Sequence, residues 1–386
     1  MLSRFAVKGF KSLHDVEIEL APLVVLIGPN AAGKSNLLEA LLLLSRLATE
    51  PSLSRAFEAP LRGYPLEAFS FSERGLEGLF KQPSADMALE AEIEGLAYRV
   101  GIRIQPKTGD LTILEESLTR LSESGAPAWS SVRQDRDPSD QTVLANRERK
   151  GEELDRLRSE LSAWRTYYLD PRDAMREPQP PRGVTDIGPR GEWIAPFLFR
   201  LKESETLRRD FEGIRRALRA AVPTIEGLDV DLDPRRGTLD IVFLQSGTRF
   251  TSRVVSEGTL RILALCCLAA SPWPARLIAF EEPENGVHPR RVDVIADLLS
   301  GMTEEGRSQV VVTTHSPPFI AAMLQRQREL PDRIKLLRCS QFGLATEARE
   351  FLAAPLVDDP EIRSALIGPE DPEIVEAMMV RGWLDG

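Results

Sequence analysis

Five apolar residues in succession, Leu23-Val24-Val25-Leu26-Ile27, end at Gly28. A short, unbroken apolar run stopped by a turn residue predicts a strand buried on both faces. Leu277-Ile278-Ala279-Phe280 and Gln309-Val310-Val311-Val312-Thr313 repeat the pattern. Together they predict the interior strands of an open α/β sheet. The segments Phe5–Val7 and Val16–Leu20, around a turn-like Lys8–Asp15, read instead as half-buried antiparallel strands, the second alternating apolar and polar residues. Ala88–Ile104, turning at Glu94-Gly95, and Leu111–Thr119, after the turn 107–110, continue that style and predict an antiparallel sheet. Helical spacing appears in Asn36–Leu47, in Glu148–Trp164 (Leu154, Leu157, Leu161, Trp164) and in Trp193–Leu201. It recurs in Leu207–Val222 (Leu207, Phe211, Ile214, Leu218), Thr259–Ala270 and Arg290–Met302. Thr166–Leu169, Leu228–Asp233, Thr238–Leu244 and Lys335–Arg338 are shorter predicted strands.

The breaks between these elements set the organisation. Pro51–Pro83 and Pro178–Gly191 are punctuated by Pro and Gly and predict loops with short elements. From Leu121 to Ser139 the composition turns to Ser, Asp, Arg and Pro, which predicts an exposed linker or insertion. The acidic, Pro-containing end predicts helix and loop, and there is no internal repeat. With 386 residues, 42% of them apolar and 28% charged, the chain has the composition of a soluble globular protein. A net charge of −10 argues against wholesale coating of nucleic acid, although 49 Lys and Arg leave room for a local basic groove. Three cysteines make neither a disulfide framework nor a metal-ligand spacing, and fit a reducing compartment. The longest apolar runs are too short to span a bilayer and no signal peptide opens the chain, so a cytoplasmic location without membrane partners is expected.

Gly28-Pro29-Asn30-Ala31-Ala32-Gly33-Lys34-Ser35 sits between the first buried strand and the first helix. That context completes a phosphate-binding loop, whose backbone amides and helix N-terminus cradle an anion. Lys34 would reach β- and γ-phosphates, and the Ser35 hydroxyl would ligate magnesium. The second buried strand ends in Glu281-Glu282: one acid is placed to help hold the metal, the next to orient or deprotonate a water. The third ends in Thr314-His315-Ser316, which brings one of only three histidines to the edge where open α/β sheets bind ligands.

The order of Gly28–Ser35, Ser256-Glu257-Gly258-Thr259, Phe280–Asn285 and Thr314–Ser316 resembles the ATP-binding-cassette superfamily. The opening Lys8-Gly9-Phe10-Lys11-Ser12 and the run Glu282–Pro289 resemble its soluble RecF/SMC/OLD-type branch, often described as AAA-family ATPases. The resemblance implies an α/β fold: an ABC-type P-loop ATPase head with a mixed sheet, an antiparallel β subdomain and a helical signature lobe. It divides a single head into an N-terminal sheet with Walker A (1–120), an exposed or helical insertion (121–165) and a helical lobe with the signature motif (166–275). Walker B and the switch histidine (276–335) and a strand-and-helix tail (336–386) complete it. It further implies that Gly28, Asn30, Gly33, Lys34, Ser35 and Asn36 bind ATP, with Lys11 and Ser12 touching the nucleotide. Ser35 and Glu281 would hold Mg2+, Glu282 would be the catalytic glutamate, and His315 the switch histidine. Ser256 and Gly258 would cap the γ-phosphate held by a second copy, in an ATP-dependent homodimer. Glu281 stands where many relatives have Asp, and Glu257 puts a negative charge where Gly is usual. The family's glutamine loop has two candidates, Gln179 and the corner Asp170-Pro171-Arg172.

The leading expectation is an ATPase whose heads associate on ATP binding and work on DNA or a partner protein, in DNA maintenance or phage defence. The alternative is an ATP-gated sensor with little turnover that recruits an effector nuclease from another chain. A transporter subunit is disfavoured by the interval of about 220 residues between loop and signature, and that interval is too short for two long coiled-coil arms.

Overall fold

A computed structural model describes residues 1–121, 127–132 and 139–351. The chain opens with β1 (Leu2–Phe10), β2 (Leu13–Glu19) and β3 (Leu23–Ile27), then α1 (Lys34–Thr49) and the short helices α2 (Leu53–Ala56) and α3 (Gly75–Phe80). Next come β4 (Ala85–Ile93), β5 (Leu96–Ile104), β6 (Leu111–Leu121), β7 (Pro127–Val132), α4 (Glu152–Ser162) and β8 (Trp164–Tyr167). They are followed by α5 (Ile194–Glu203), α6 (Arg208–Ala221), β9 (Gly227–Asp233), β10 (Thr238–Gln245), β11 (Thr248–Thr251) and α7 (Glu257–Ala269). The last described elements are β12 (Leu277–Glu281), α8 (Val292–Met302), β13 (Gln309–Thr314), α9 (Pro317–Glu329), β14 (Ile334–Phe342) and β15 (Ala345–Glu350).

The unbroken apolar runs are interior strands of one sheet, ordered β15-β14-β3-β13-β12-β8. Its strands β14, β3, β13, β12 and β8 run parallel, and β15 closes the edge as an antiparallel hairpin with β14. Successive side chains on a strand face opposite ways, so β3 feeds two cores. Leu23, Val25 and Ile27 pack with α7, α8 and α9, whereas Val24 and Leu26 pack with α1 and the antiparallel sheet. Burial on both faces is why these strands carry no polar alternation. The shared direction also delivers Gly28, Glu281 and His315 to one sheet edge.

The second six-stranded sheet, β2-β1-β4-β5-β6-β7, is antiparallel, and its inward faces alternate as predicted. The backbone of β7 pairs with β6, so the sheet runs on into a stretch expected to be linker; residues 122–126 and 133–138 of that stretch lie outside the described residues. The helix expected over Glu148–Trp164 is confined to α4, and Trp164 opens β8 instead. Its indole shares a core with Leu157 and Leu161, so the helical spacing reports a common buried face rather than one continuous helix. The sequence pattern does not announce β11, β15 or α9. β11 carries mostly exposed residues, and α9 begins at Pro317-Pro318, where proline is tolerated because first-turn amides need no helical partner. The strand-and-helix tail expected over 336–386 is strand where it is described, in β14 and β15, and residues 352–386, the acidic end expected to form helix and loop, lie outside the described residues. No helix among the described residues is long and apolar enough to cross a membrane.

Candidate functional site

The glycines of the loop are demanded by the protein as well as by any phosphate. Gly28 and Gly33 have φ of 155° and 87°. A Cβ at Gly28 would lie 2.3 Å from the Cys339 carbonyl oxygen, and one at Gly33 would lie 1.9 Å from Thr346 Oγ1. The β14–β15 hairpin therefore presses on the loop from behind, and only residues without side chains fit there. Gly33 is the N-cap of α1, whose next two residues are Lys34 and Ser35.

Lys34 is 6% exposed, and its ammonium donates to the Gly28 and Pro29 carbonyls, each at 2.7 Å. Burial draws its pKa below the usual lysine range, while the nearby carboxylates of Glu282, Glu281 and Glu284 oppose that shift. Ser35 Oγ donates to Glu281 Oε1 at the end of β12. Glu282 adopts φ of 45°, a left-handed conformation costly for a residue with a Cβ. The backbone and hydroxyl oxygens of Thr313 hold it there, both accepting from the Glu282 N–H at 3.2 Å. The carboxylate then reaches His315, with Oε1 2.6 Å from Nδ1. Loop, both acids and histidine are thus one connected group.

A cavity of about 250 Å³ opens at the loop, lined by residues 30–36, Glu281, Glu282 and Arg62. Arg62 belongs to no motif, and nothing in the sequence singles it out. Its Nε and backbone N–H donate to Glu39 Oε1 at 2.9 and 3.0 Å. Glu39 is fully buried on α1; burial works against its charge, but Arg62 and Lys11 outweigh that and lower its pKa. Lys11 Nζ donates to Glu39 Oε2 at 2.5 Å, and Ser12 Oγ meets Thr346 Oγ1 at 2.7 Å and accepts from Asn36 Nδ2 at 2.8 Å. Lys11 and Ser12 are therefore engaged by protein groups, and neither lines the cavity.

A magnesium ion fits the donors present. Ser35 and Glu281 are hard oxygen ligands already in contact, and no group of three or more His, Cys, Asp or Glu among the described residues could cage a metal. Two protein oxygens, with phosphates and waters completing the shell, suit magnesium.

Glu284 is a buried acid beside this group. Oε1 accepts from Thr314 Oγ1, Oε2 has no hydrogen-bond partner among the described residues, and Lys34, Arg261, Glu282 and His315 are its charged or titratable neighbours. Burial pushes its pKa up from 4.5 to about 7, the Thr314 hydrogen bond pulling the other way. The folded chain thus holds a proton that the unfolded chain releases, and stability falls as pH rises from 4.5 to about 7. Glu284→Gln should match the natural chain to within about 1 kcal/mol at pH 5 and exceed it by on the order of 2–3 kcal/mol at pH 8. Denaturant titrations at the two pH values check this; a difference independent of pH would contradict it.

Ser256 and Gly258, the residues expected to form the signature, do not line the cavity at the phosphate loop. Ser256 caps α7, accepting from the Thr259 N–H at 3.2 Å, and lines a separate cavity of about 340 Å³ with Thr259 and Arg291. Glu257 turns outward to Arg172 at 3.0 Å, which answers its charge. A Cβ on Gly258 would lie 2.7 Å from the Gly286 carbonyl oxygen, so the start of α7 rests on the loop that follows the two acids. The corner Asp170–Arg172 follows β8 and supplies that ion pair, while Gln179 bridges to Leu239 in the three-stranded sheet β11-β10-β9.

Residues 23–321 match the family described as "AAA domain, putative AbiEii toxin, Type IV TA system". A stretch of 41 residues, 11% of the chain, is 46% identical to an OLD nuclease from Thermus scotoductus and covers 8% of that protein. A stretch of 108 residues, 28% of the chain, is 35% identical to the DNA replication and repair protein RecF from Magnetococcus marinus and covers 26% of it. The matches thus span only a small part of either relative's length. Among solved structures, the Smc head bound to the C-winged helix domain of ScpA superposes with a TM-score of 0.56 at 17% identity, covering 92% of this chain and 99% of that one. That likeness is one of fold.

Proposed function

The chain belongs to this family of AAA domains, an ATPase of the ABC type and of the RecF/SMC/OLD branch, and from that premise we propose that it hydrolyses ATP between two copies of itself. The single observation that supports the reading is that the two groups of residues do not share a cavity. Lys34, Ser35, Glu281, Glu282 and His315 gather at one sheet edge, while Ser256 and Gly258 open elsewhere and leave the loop cavity without them.

Lys34 exchanges the Gly28 and Pro29 carbonyls for phosphate oxygens, and the loop amides and the start of α1 supply the rest of the cradle. Arg62, fixed by Glu39, sets a second cation against the phosphates. Ser35 and Glu281 would hold magnesium, which when bound would supply positive charge against the phosphoryl oxygens. Glu282 accepts the proton of the attacking water, and His315 aligns that carboxylate through its 2.6 Å contact. The partner's Ser256 hydroxyl and the N-terminus of its α7 complete the γ-phosphate shell. With Glu257 committed to Arg172, that helix end carries no uncompensated carboxylate towards the triphosphate.

ATP-driven pairing of heads then does work on DNA or on a partner protein, in DNA maintenance or in defence. The names of the relatives, a replication and repair protein and a nuclease, support this class of role. Steady-state hydrolysis with and without duplex DNA tests it, and a stimulation of about tenfold is expected. No stimulation, alongside tight ATP binding and slow turnover, would replace it with an ATP-gated sensor.

A further inference from the structure

Tyr168 carries a hydroxyl that the proposed site leaves unused. β8 runs parallel to β12 with Tyr167 opposite Phe280, so the next residues along, Tyr168 and Glu281, stand level with each other. Side chains alternate along β8: Trp164 packs in the core beneath α1, and Tyr167 packs in the opposite core, with its hydroxyl bonded to Asp186 at 2.5 Å. Tyr168 therefore shares the α1 side with Trp164. On that side Ser35 and Glu39, four residues apart, occupy one face of α1. Ser35 bonds Glu281, and Glu39 bonds Lys11 and Arg62.

The Tyr168 hydroxyl is buried in this setting and has no hydrogen-bond partner among the described residues. Burial first, then the carboxylates of Glu39 and Glu281, raises its pKa, so it remains a donor. A buried donor without an acceptor costs stability, and such groups call for a reason. The hydroxyl is too near Glu281 in register, and too well enclosed, to serve a surface role.

We propose that Tyr168 is a positioning residue for Glu281: its hydroxyl would donate to that carboxylate once the Ser35 hydroxyl leaves it to ligate a magnesium–nucleotide complex. Nucleotide-free, Glu281 accepts from Ser35, and the Tyr168 hydroxyl has no partner among the described residues. Loaded, the Ser35 oxygen would turn to the cation, and the phenol would supply the donor that fixes the Glu281 carboxylate's orientation. The proposal rests on the ATP site described above.

Tyr168→Phe tests it, because the ring stays and one oxygen goes. Melting temperature is measured without nucleotide, with a non-hydrolysable ATP analogue and Mg2+, and with the analogue in EDTA. The nucleotide-free variant is expected to melt at or above the natural chain, since it loses only an unpartnered hydroxyl. Its EDTA shift should equal the natural one, whereas the Mg2+ concentration giving half the metal-dependent shift should rise about tenfold. An unchanged Mg2+ midpoint would overturn the proposal. So would a nucleotide-free variant that melts several degrees lower, which would make the hydroxyl a structural group. No shift for the natural chain with Mg2+ and analogue would instead remove the ATP site itself, and this role with it.

Discussion

Lys34→Ala should bind ATP about 100-fold or more weakly than the natural chain, corresponding to roughly 3 kcal/mol or above. The Lys34 ammonium is buried and already makes two charge-bearing hydrogen bonds at 2.7 Å, to Gly28 and Pro29. An incoming triphosphate replaces those neutral carbonyls with charged oxygens, and each bond gained to a charged group contributes about 1.5–3 kcal/mol. Alanine removes the cation and leaves the loop amides to hold the phosphates without it. The fold should survive, because losing the two carbonyl contacts is offset by no longer burying an ammonium. Titration with a fluorescent ATP analogue reads the affinity, and a melting curve reads the fold. Affinity within threefold of natural, in protein that melts normally, would contradict the assigned phosphate contact.

Glu282→Gln should slow hydrolysis by about 100- to 10,000-fold while leaving ATP affinity nearly unchanged, the range expected when a general base is removed. Glutamine keeps the shape, the backbone φ of 45° and a partner for His315, yet cannot take the water's proton. The left-handed backbone at this position is an independent reason to place function there. Strain at a residue clamped by both oxygens of Thr313 persists because surrounding structure over-determines it. An unchanged turnover rate in purified Glu282→Gln protein would remove that residue from the chemistry.

The parts of this account legible in the sequence are contiguous ones. Gly28–Ser35, Glu281-Glu282 and His315 each follow an apolar run, and parallel pairing of β3, β12 and β13 places them at one edge. The order of motifs added the resemblance to ABC-type heads, and the family match and the shared fold agree with it. What stayed hidden depends on single residues joined across the chain. Arg62 and Glu39 meet over 23 positions, and the hairpin of Thr346 and Cys339 meets the loop over more than 300. No periodicity announces such contacts. Lys11 and Ser12, brought forward by resemblance, are held by Glu39, Asn36 and Thr346 and lie off the cavity. Trp164 matched a helical stripe because strand β8 and helix α4 bury side chains in the same core.

Ser256 lines a cavity separate from the one at Gly28–Ser35. On the proposed reading, Ser256 and Gly258 of one copy complete the loop cavity of another, so ATP should be what joins two copies. The mass of Glu282→Gln protein in solution, measured by light scattering with and without Mg2+ and ATP, tests this most directly. The account predicts a species of 43.0 kDa without nucleotide and twice that mass with it. A single 43.0 kDa species at saturating ATP, from protein shown to bind it, would contradict the shared site.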